Sequence, residues 1–126
     1  MTRKPFIVLL VVALIALAGW FSYETFIKPK TTRIAHISYL CQEGKTIVAD
    51  YYQGPSETTK PDEKPTPNGS VSLVLSDGRK LTLPQTVSAS GIRYANADES
   101  MVFWSKGNGA FIVENNQESF TGCLEK

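Results

Sequence analysis

The sequence predicts an all-β protein: a small eight-stranded antiparallel barrel, preceded by an N-terminal apolar helix. The main observation is a series of eight short segments, rich in β-branched and aromatic residues, that turn residues separate at fairly even spacing. A second observation is that no segment after the apolar run has a convincing helical period. Meander order is the economical arrangement for such strands, and closure of the sheet removes its exposed edges.

We expect the strands at residues 34–41, 46–52, 70–75, 80–83, 92–95, 101–105, 110–114 and 119–124. Between the third and fourth strands, the pair Asp77-Gly78 predicts a hairpin turn in which both residues have positive φ. Pro84 cannot donate to a strand ladder, so we expect the fourth strand to end there.

The apolar run covers residues 6–21 and follows Arg3 and Lys4. Extended to residues 6–27, it would reach the length of about 20 residues that a bilayer requires. It would then anchor the chain in the inner membrane with the basic N-terminus inside and the domain in the periplasm. Alternatively, Ala16-Leu17-Ala18 offers a cleavage site, and a signal peptide would release the domain to the periplasm.

The domain organisation follows from this segment. Residues 1–28 are the predicted anchor or signal peptide, residues 29–32 a stalk, and residues 33–126 the β-domain. Within the β-domain, residues 53–69 contain four prolines and no aliphatic or aromatic side chain. Such a segment cannot bury apolar surface, so we expect an exposed, mobile loop, with a proline-motif partner site as the weaker alternative.

The two cysteines, Cys41 and Cys123, lie near the two ends of the predicted domain. Neither has a second cysteine or histidine at the spacing of a zinc site, so no metal site is predicted. Export to an oxidising compartment favours a disulfide that joins the first strand to the last. Two buried free thiols are the alternative.

The sequence offers no catalytic machinery. The formal net charge is +1, which implies no nucleic-acid partner. The single histidine, His36, has no nucleophile motif around it, and Gly44-Lys45-Thr46 lacks the upstream glycine of a phosphate loop. We therefore expect a protein that is not an enzyme and that needs no small-molecule cofactor.

The candidate functional stretch covers residues 88–109. One Gly/Ser-rich loop presents a hydroxyl group at Ser90, and another presents an ammonium group at Lys106, between Trp104 and two glycines. From the residues alone, a solvated hairpin lysine and an ordinary turn serine are the favoured interpretations of these two positions.

The segments SASGIRYAN and FWSKGNGA, together with Tyr39-x-Cys41 and Cys123, resemble the family of periplasmic or membrane-bound inhibitors of C-type lysozyme. The resemblance covers roughly residues 33–123. It implies an eight-stranded antiparallel barrel that blocks the active-site cleft of lysozyme and so protects the envelope of a Gram-negative bacterium.

By this resemblance, Ser90 and Lys106 engage the two catalytic carboxylates of lysozyme, and Tyr94 is a further contact residue that supports the serine loop. Three features depart from the family pattern. The turn at residues 96–100 is about two residues longer, the proline loop is an insertion, and the lipidated cysteine of the membrane-bound branch is absent. The alternative hypothesis is a periplasmic barrel that binds a glycan or an envelope protein and leaves lysozyme unaffected.

Overall fold

The computed structural model describes residues 3–27, 31–55, 62 and 66–126, with side chains described from Ile7 to Gly19 in the first of these ranges. The chain divides into two units, at residues 1–30 and 31–126. The first unit holds one helix, α1 (Arg3–Ile27). Among the described residues, no helix combines the length and the apolarity needed to cross a membrane. The transmembrane helix predicted over residues 6–27 is therefore not supported.

The second unit consists of eight strands and one short 3-10 helix at Gln42–Gly44. The strands are β1 (Thr32–Leu40), β2 (Thr46–Gln53), β3 (Ser70–Leu75), β4 (Lys80–Thr86), β5 (Ile92–Ala95), β6 (Met101–Lys106), β7 (Gly109–Glu114) and β8 (Gln117–Glu125). Each strand pairs antiparallel with the next, and β8 pairs with β1, so the sheet is a closed barrel. The predicted fold class is confirmed.

The barrel interior is filled by alternate residues of every strand, as the period of a half-buried strand requires. Four aromatic rings lie at its centre, with centroids 5.9–6.3 Å apart in the closest pairs. They belong to Tyr39, Tyr51, Tyr94 and Phe103, and the hydroxyl groups of Tyr39 and Tyr51 are hydrogen-bonded at 2.9 Å. These rings give a rigid interior beneath the loops at the barrel ends.

A disulfide between Cys41 and Cys123 closes the barrel, as predicted. It spans a sequence separation of 82 residues, from the end of β1 to β8. The seam that it reinforces is short, because only Tyr39 and Leu40 of β1 are in register with β8. The covalent bond therefore reinforces one of the two shortest ladders of the barrel, the other being that between β4 and β5.

Two details of the β3–β4 hairpin differ from the prediction. β4 does not end at Pro84 but continues to Thr86. Pro84 is the last residue of β4 in register with β3, and Gln85 and Thr86 pair with β5, so the proline lies where β4 changes neighbours. In the turn, Gly78 has positive φ (90°) and Asp77 does not.

The hydrogen bonds explain the second difference. The N–H of Gly78 donates to the carbonyl of Leu75, and the N–H of Leu75 donates to the carbonyl of Arg79. This is the pattern of a three-residue hairpin loop whose last residue is a bulge glycine, which needs one left-handed position instead of two.

The described ends of the proline loop are held together. The side-chain amide of Asn68 donates to the carbonyl of Pro55 at 2.7 Å. Residues 56–61 and 63–65 of the predicted loop, and residues 29 and 30 of the predicted stalk, lie outside the described residues.

Candidate functional site

Ser90 and Lys106 lie at the same end of the barrel. β5 and β6 are antiparallel, with Ile92 opposite Ser105, so the loop that enters β5 and the turn that follows β6 are neighbours. We call residues 88–91 and 106–107 the tip. Because β5 and β6 are adjacent and antiparallel, the two sequence motifs lie side by side.

A close backbone approach at Gly91 sets the distance between the two parts of the tip. A Cβ atom at Gly91 would lie 2.6 Å from the carbonyl oxygen of Ser105 and 3.1 Å from the Cβ of Lys106. Gly91 also has a φ of 69°, in the left-handed region. Both the space and the conformation therefore require glycine, and Ser90 is placed directly beside the start of the Lys106 turn.

Three hydrogen bonds fix the serine loop. The indole N–H of Trp104 donates to the carbonyl oxygen of Ser90 at 2.9 Å, and the hydroxyl of Ser88 donates to the same oxygen at 2.7 Å. The backbone N–H of Ser90 donates in turn to the Ser88 hydroxyl oxygen at 3.3 Å. The backbone of Ser90 is thus held from two sides, while its side chain takes no part.

Trp104 is itself held on the outer face of the sheet. Its ring stacks on Phe111, with centroids 5.8 Å apart, and the guanidinium of Arg93 lies 5.9 Å from its centroid. Arg93 donates to the hydroxyl of Thr86 at 2.9 Å and pairs with Glu99 at 3.1 Å. The family resemblance assigns no such supporting role to Trp104. The signal was present in the alternation of β6, because an inward Phe103 places Trp104 outward.

The functional groups of the tip are exposed and unengaged. Within the described residues, the Ser90 hydroxyl forms no hydrogen bond, and the Lys106 ammonium forms neither a hydrogen bond nor an ion pair. Two other cations of the barrel are engaged, because Lys45 bonds to the carbonyl of Ser119 and Arg79 pairs with Asp77, whereas Lys80 is as unengaged among the described residues as Lys106. The tip therefore offers one hydroxyl and one ammonium to a partner without first breaking internal bonds.

Tyr94 lies in a different environment from the other two predicted contact residues. It is 3% exposed and packs in the aromatic centre of the barrel, where burial, and then the nearby Tyr51, raise its pKa to about 12. It lines a cavity of about 250 Å³ whose mouth includes Gly91 and Lys106. Tyr94 thus supports the tip from the interior and does not present its side chain to a partner.

Metal binding has no support among the described residues, which contain no group of three or more His, Cys, Asp or Glu side chains placed to hold an ion. His36 lies on the outer face of β1, with its Nδ1 atom 2.8 Å from a carboxylate oxygen of Asp50. His36 thus takes part in a surface interaction with Asp50.

The structure is that of a small closed barrel with a packed aromatic interior and two unengaged polar groups at one end. Comparison with known proteins identifies the family: a family model described as membrane-bound lysozyme-inhibitor of c-type lysozyme matches residues 39–120. The chain belongs to this family. Because it is a family of inhibitors, the expectation that the chain is not an enzyme is supported.

One curated relative is a membrane-bound lysozyme inhibitor of C-type lysozyme from Yersinia enterocolitica, which is 49% identical over 53 residues. The match covers 42% of this chain and 43% of the relative, so the chain spans less than half the length of that protein. No solved structure matches the chain significantly.

Proposed function

We propose that this protein inhibits C-type lysozyme by inserting the tip into the active-site cleft of the enzyme. The observation that carries the proposal is the shared exposure of the Ser90 hydroxyl and the Lys106 ammonium at one end of a rigid barrel. Family membership supports the choice of partner.

The chemistry of the two groups matches the chemistry of the target. Lysozyme requires one carboxylic acid that stays protonated and one carboxylate that stays ionised. In a desolvated cleft, the ammonium of Lys106 pairs with the ionised carboxylate, and the Ser90 hydroxyl donates to one carboxyl group while it accepts from the other. Occupation of both groups excludes the glycan substrate and the catalytic water.

The charge of the domain also favours this partner. Residues 31–126 carry 9 basic and 11 acidic residues, a formal net charge of 9 − 11 = −2. A mildly acidic barrel is attracted to a basic enzyme, and this long-range term raises the rate of encounter more than the affinity. The Lys106 ammonium is a local positive charge on this acidic domain, and it acts at short range.

The proposed compartment is the cell envelope. A bond between Cys41 and Cys123 persists in an oxidising environment, which supports export to the cell envelope and a position facing the periplasm. The intact mass of the protein recovered from the envelope distinguishes retention of residues 1–28 from their removal as a signal peptide.

The test is an inhibition assay with purified protein, C-type lysozyme and cell-wall substrate. We expect Lys106→Ala to cost about 2–5 kcal/mol of binding, since truncation of one partner leaves the other charge buried and unpaired. The inhibition constant should then rise by roughly 30-fold or more. Ser90→Ala should weaken inhibition less, because it removes hydrogen bonds without a charge.

Lys80 provides a matched control. It is exposed at the start of β4, at the opposite end of the barrel from the tip. Lys80→Ala removes the same charge from the molecule and should leave inhibition unchanged. Equal inhibition by Lys106→Ala and Lys80→Ala would refute the assignment of the tip, and undiminished lysis with excess wild-type protein would refute inhibition itself.

A further inference from the structure

A second recessed surface lies on the outer face of β5, β6 and β7, away from the tip. It is a groove of about 520 Å³, and we call it the outer groove. Its floor is formed by Val102 and Val113, which are paired across β6 and β7. The outer groove shares one residue with the support of the tip, since Trp104 lines the groove and also donates to the Ser90 carbonyl.

The floor is unusual for the outside of a barrel. Val102 precedes the inward-facing Phe103 and Ala95 follows the inward-facing Tyr94, so both point outward, yet they are only 7% and 1% exposed. Outward residues of a small barrel are normally solvated. Three residues of the turn at residues 96–100 line the groove together with Val102, namely Asp98, Glu99 and Ser100. This is the turn that the family resemblance predicts to be about two residues longer.

This turn is internally fixed. The side-chain oxygen of Asn96 accepts the N–H of Met101 at 2.9 Å, and its amide group donates to the Ser100 hydroxyl at 2.8 Å. The carbonyl of Ser100 accepts the N–H of Asn115 at 2.8 Å, which joins the turn to the β7–β8 hairpin. These hydrogen bonds hold one side of the outer groove in place.

The two walls of the groove differ in character. One wall is the stacked pair Trp104 and Phe111. The other carries Asp98, Asn115 and Asn116. Within the described residues, the side-chain amides of Asn115 and Asn116 bond to nothing, and the recorded bonds of Asp98 all fall on one carboxylate oxygen, which accepts from Ser100. Donors and acceptors thus face an apolar floor and an aromatic wall.

The charged side chains of the outer groove limit the chemical class of ligand that it can bind. Arg93, the cation of the groove, is already paired with Glu99, and Asp98 adds a negative charge, so an anion would be repelled. An extended peptide would need unpaired strand backbone, whereas β6 is paired on both sides, with β5 and with β7. A neutral ligand with an apolar face and a polar edge fits best, and a saccharide chain is a ligand of this kind, with C–H groups on one face and hydroxyl groups at its edge.

We propose that the outer groove binds a neutral oligosaccharide, with its apolar face on Val102, Val113 and the aromatic wall and its hydroxyl or acetamido groups on Asp98, Asn115 and Asn116. This site is independent of lysozyme. The barrel would then carry two functions on different surfaces, a protein-binding tip and a glycan-binding groove.

The experiment is a titration of the full-length, ¹⁵N-labelled protein with the β-1,4-linked tetramer of N-acetylglucosamine, without lysozyme. We expect saturable shifts of the Asn115 and Asn116 side-chain amides and of the backbone N–H groups of Val102 and Val113, which line the groove and lie outside the tip. Asn116→Gly removes the amide and keeps the left-handed backbone (φ 64°), so the affinity should fall by about three- to tenfold without a change of fold.

Phe111→Ala should weaken binding by a similar factor through loss of the aromatic wall. Asn108→Ala is the matched control, because it removes an exposed amide from the β6–β7 turn at the other end of the strands. Binding should survive it unchanged. The proposal is overturned if the tetramer produces no saturable shifts, if the shifts fall on the tip instead of the groove, or if Asn116→Gly binds as tightly as Asn108→Ala. None of these outcomes bears on inhibition of lysozyme.

Discussion

Trp104 donates its indole N–H to the carbonyl oxygen of Ser90 across 2.9 Å, and so connects the outer face of the barrel to the tip. The tryptophan comes from one motif of the sequence and the serine from the other. The relative position of the hydroxyl and the ammonium therefore depends on a residue that, in the proposed complex, touches neither carboxylate of the enzyme.

Substitution of Trp104 tests whether the position of the Ser90 loop depends on the indole hydrogen bond. Trp104→Phe keeps an aromatic ring beside Phe111 but removes the donor, which should cost about 0.5–1.5 kcal/mol of loop fixation and raise the inhibition constant by up to roughly tenfold. Inhibition assays and thermal unfolding are measured together. Phe111→Leu is the control, since it alters the stack without removing the bond to Ser90. Unaltered inhibition by Trp104→Phe would mean that the loop holds its position unaided.

Two glycines at the tip allow the cost of a left-handed backbone to be measured separately from the cost of a steric clash. Gly91 and Gly107 both have positive φ, 69° and 59°, but a Cβ atom at Gly107 would meet nothing within 4 Å. Gly107→Ala should therefore cost only the roughly 1–2 kcal/mol of a left-handed alanine. Gly91→Ala should cost at least about 1 kcal/mol more, because its methyl group meets the backbone oxygen of Ser105. Denaturant midpoints give the comparison, and equal losses would contradict the close approach.

Reduction of the disulfide should strongly destabilise the barrel. For the separation of 82 residues between Cys41 and Cys123, the chain-entropy model gives about 4–5 kcal/mol. We expect the denaturant midpoint to fall sharply on addition of a reductant. The double variant Cys41→Ser/Cys123→Ser should start at the lower midpoint and not respond to the reductant. A wild-type midpoint that is insensitive to reduction would show that strand pairing alone closes the seam.

The buried tyrosines predict an alkaline limit of stability. Burial raises the pKa of Tyr94 from 10.0 to about 12, and burial together with its hydrogen bond to Tyr51 also raises the pKa of Tyr39. Since the folded state holds the proton more tightly than the unfolded state, this contribution is complete below pH 10 and is lost between pH 10 and about 12.

Unfolding free energies measured across this pH range should therefore decline. Tyr94→Phe cannot ionise, so its decline should be shallower than that of the wild type. Tyrosinate absorbance provides an independent readout, because the buried groups should ionise together with unfolding instead of before it. A slope that is the same in both proteins would rule out Tyr94 as a contributor.

Local patterns predicted the barrel well, because each strand carries its own alternation and its own turn residues. The face made by Ile47, Ala49 and Tyr51 is buried as its period indicates. The prediction that β4 ends at Pro84 was wrong because a strand in a barrel pairs with two neighbours along different parts of its length. Sequence rules treat the strand as having only one neighbour. Register between distant strands is a tertiary property.

The same limit applies to the sites. Motif resemblance identified Ser90 and Lys106, and the structure brings them to one end of the barrel. The motif resemblance did not indicate that Tyr94 points inward. That orientation follows from its pairing with Phe103 of β6, which also points inward. The outer groove was missed altogether, since it depends on how the turn at residues 96–100 comes to line it together with Val102, and no period in the sequence encodes that arrangement.

The covalent link between the first and last strands also has a consequence for biogenesis. Cys41 can meet its partner only after 82 further positions of the chain have been synthesised, and by then residues of every strand have been made. This bond therefore cannot form on a nascent fragment that ends before Cys123.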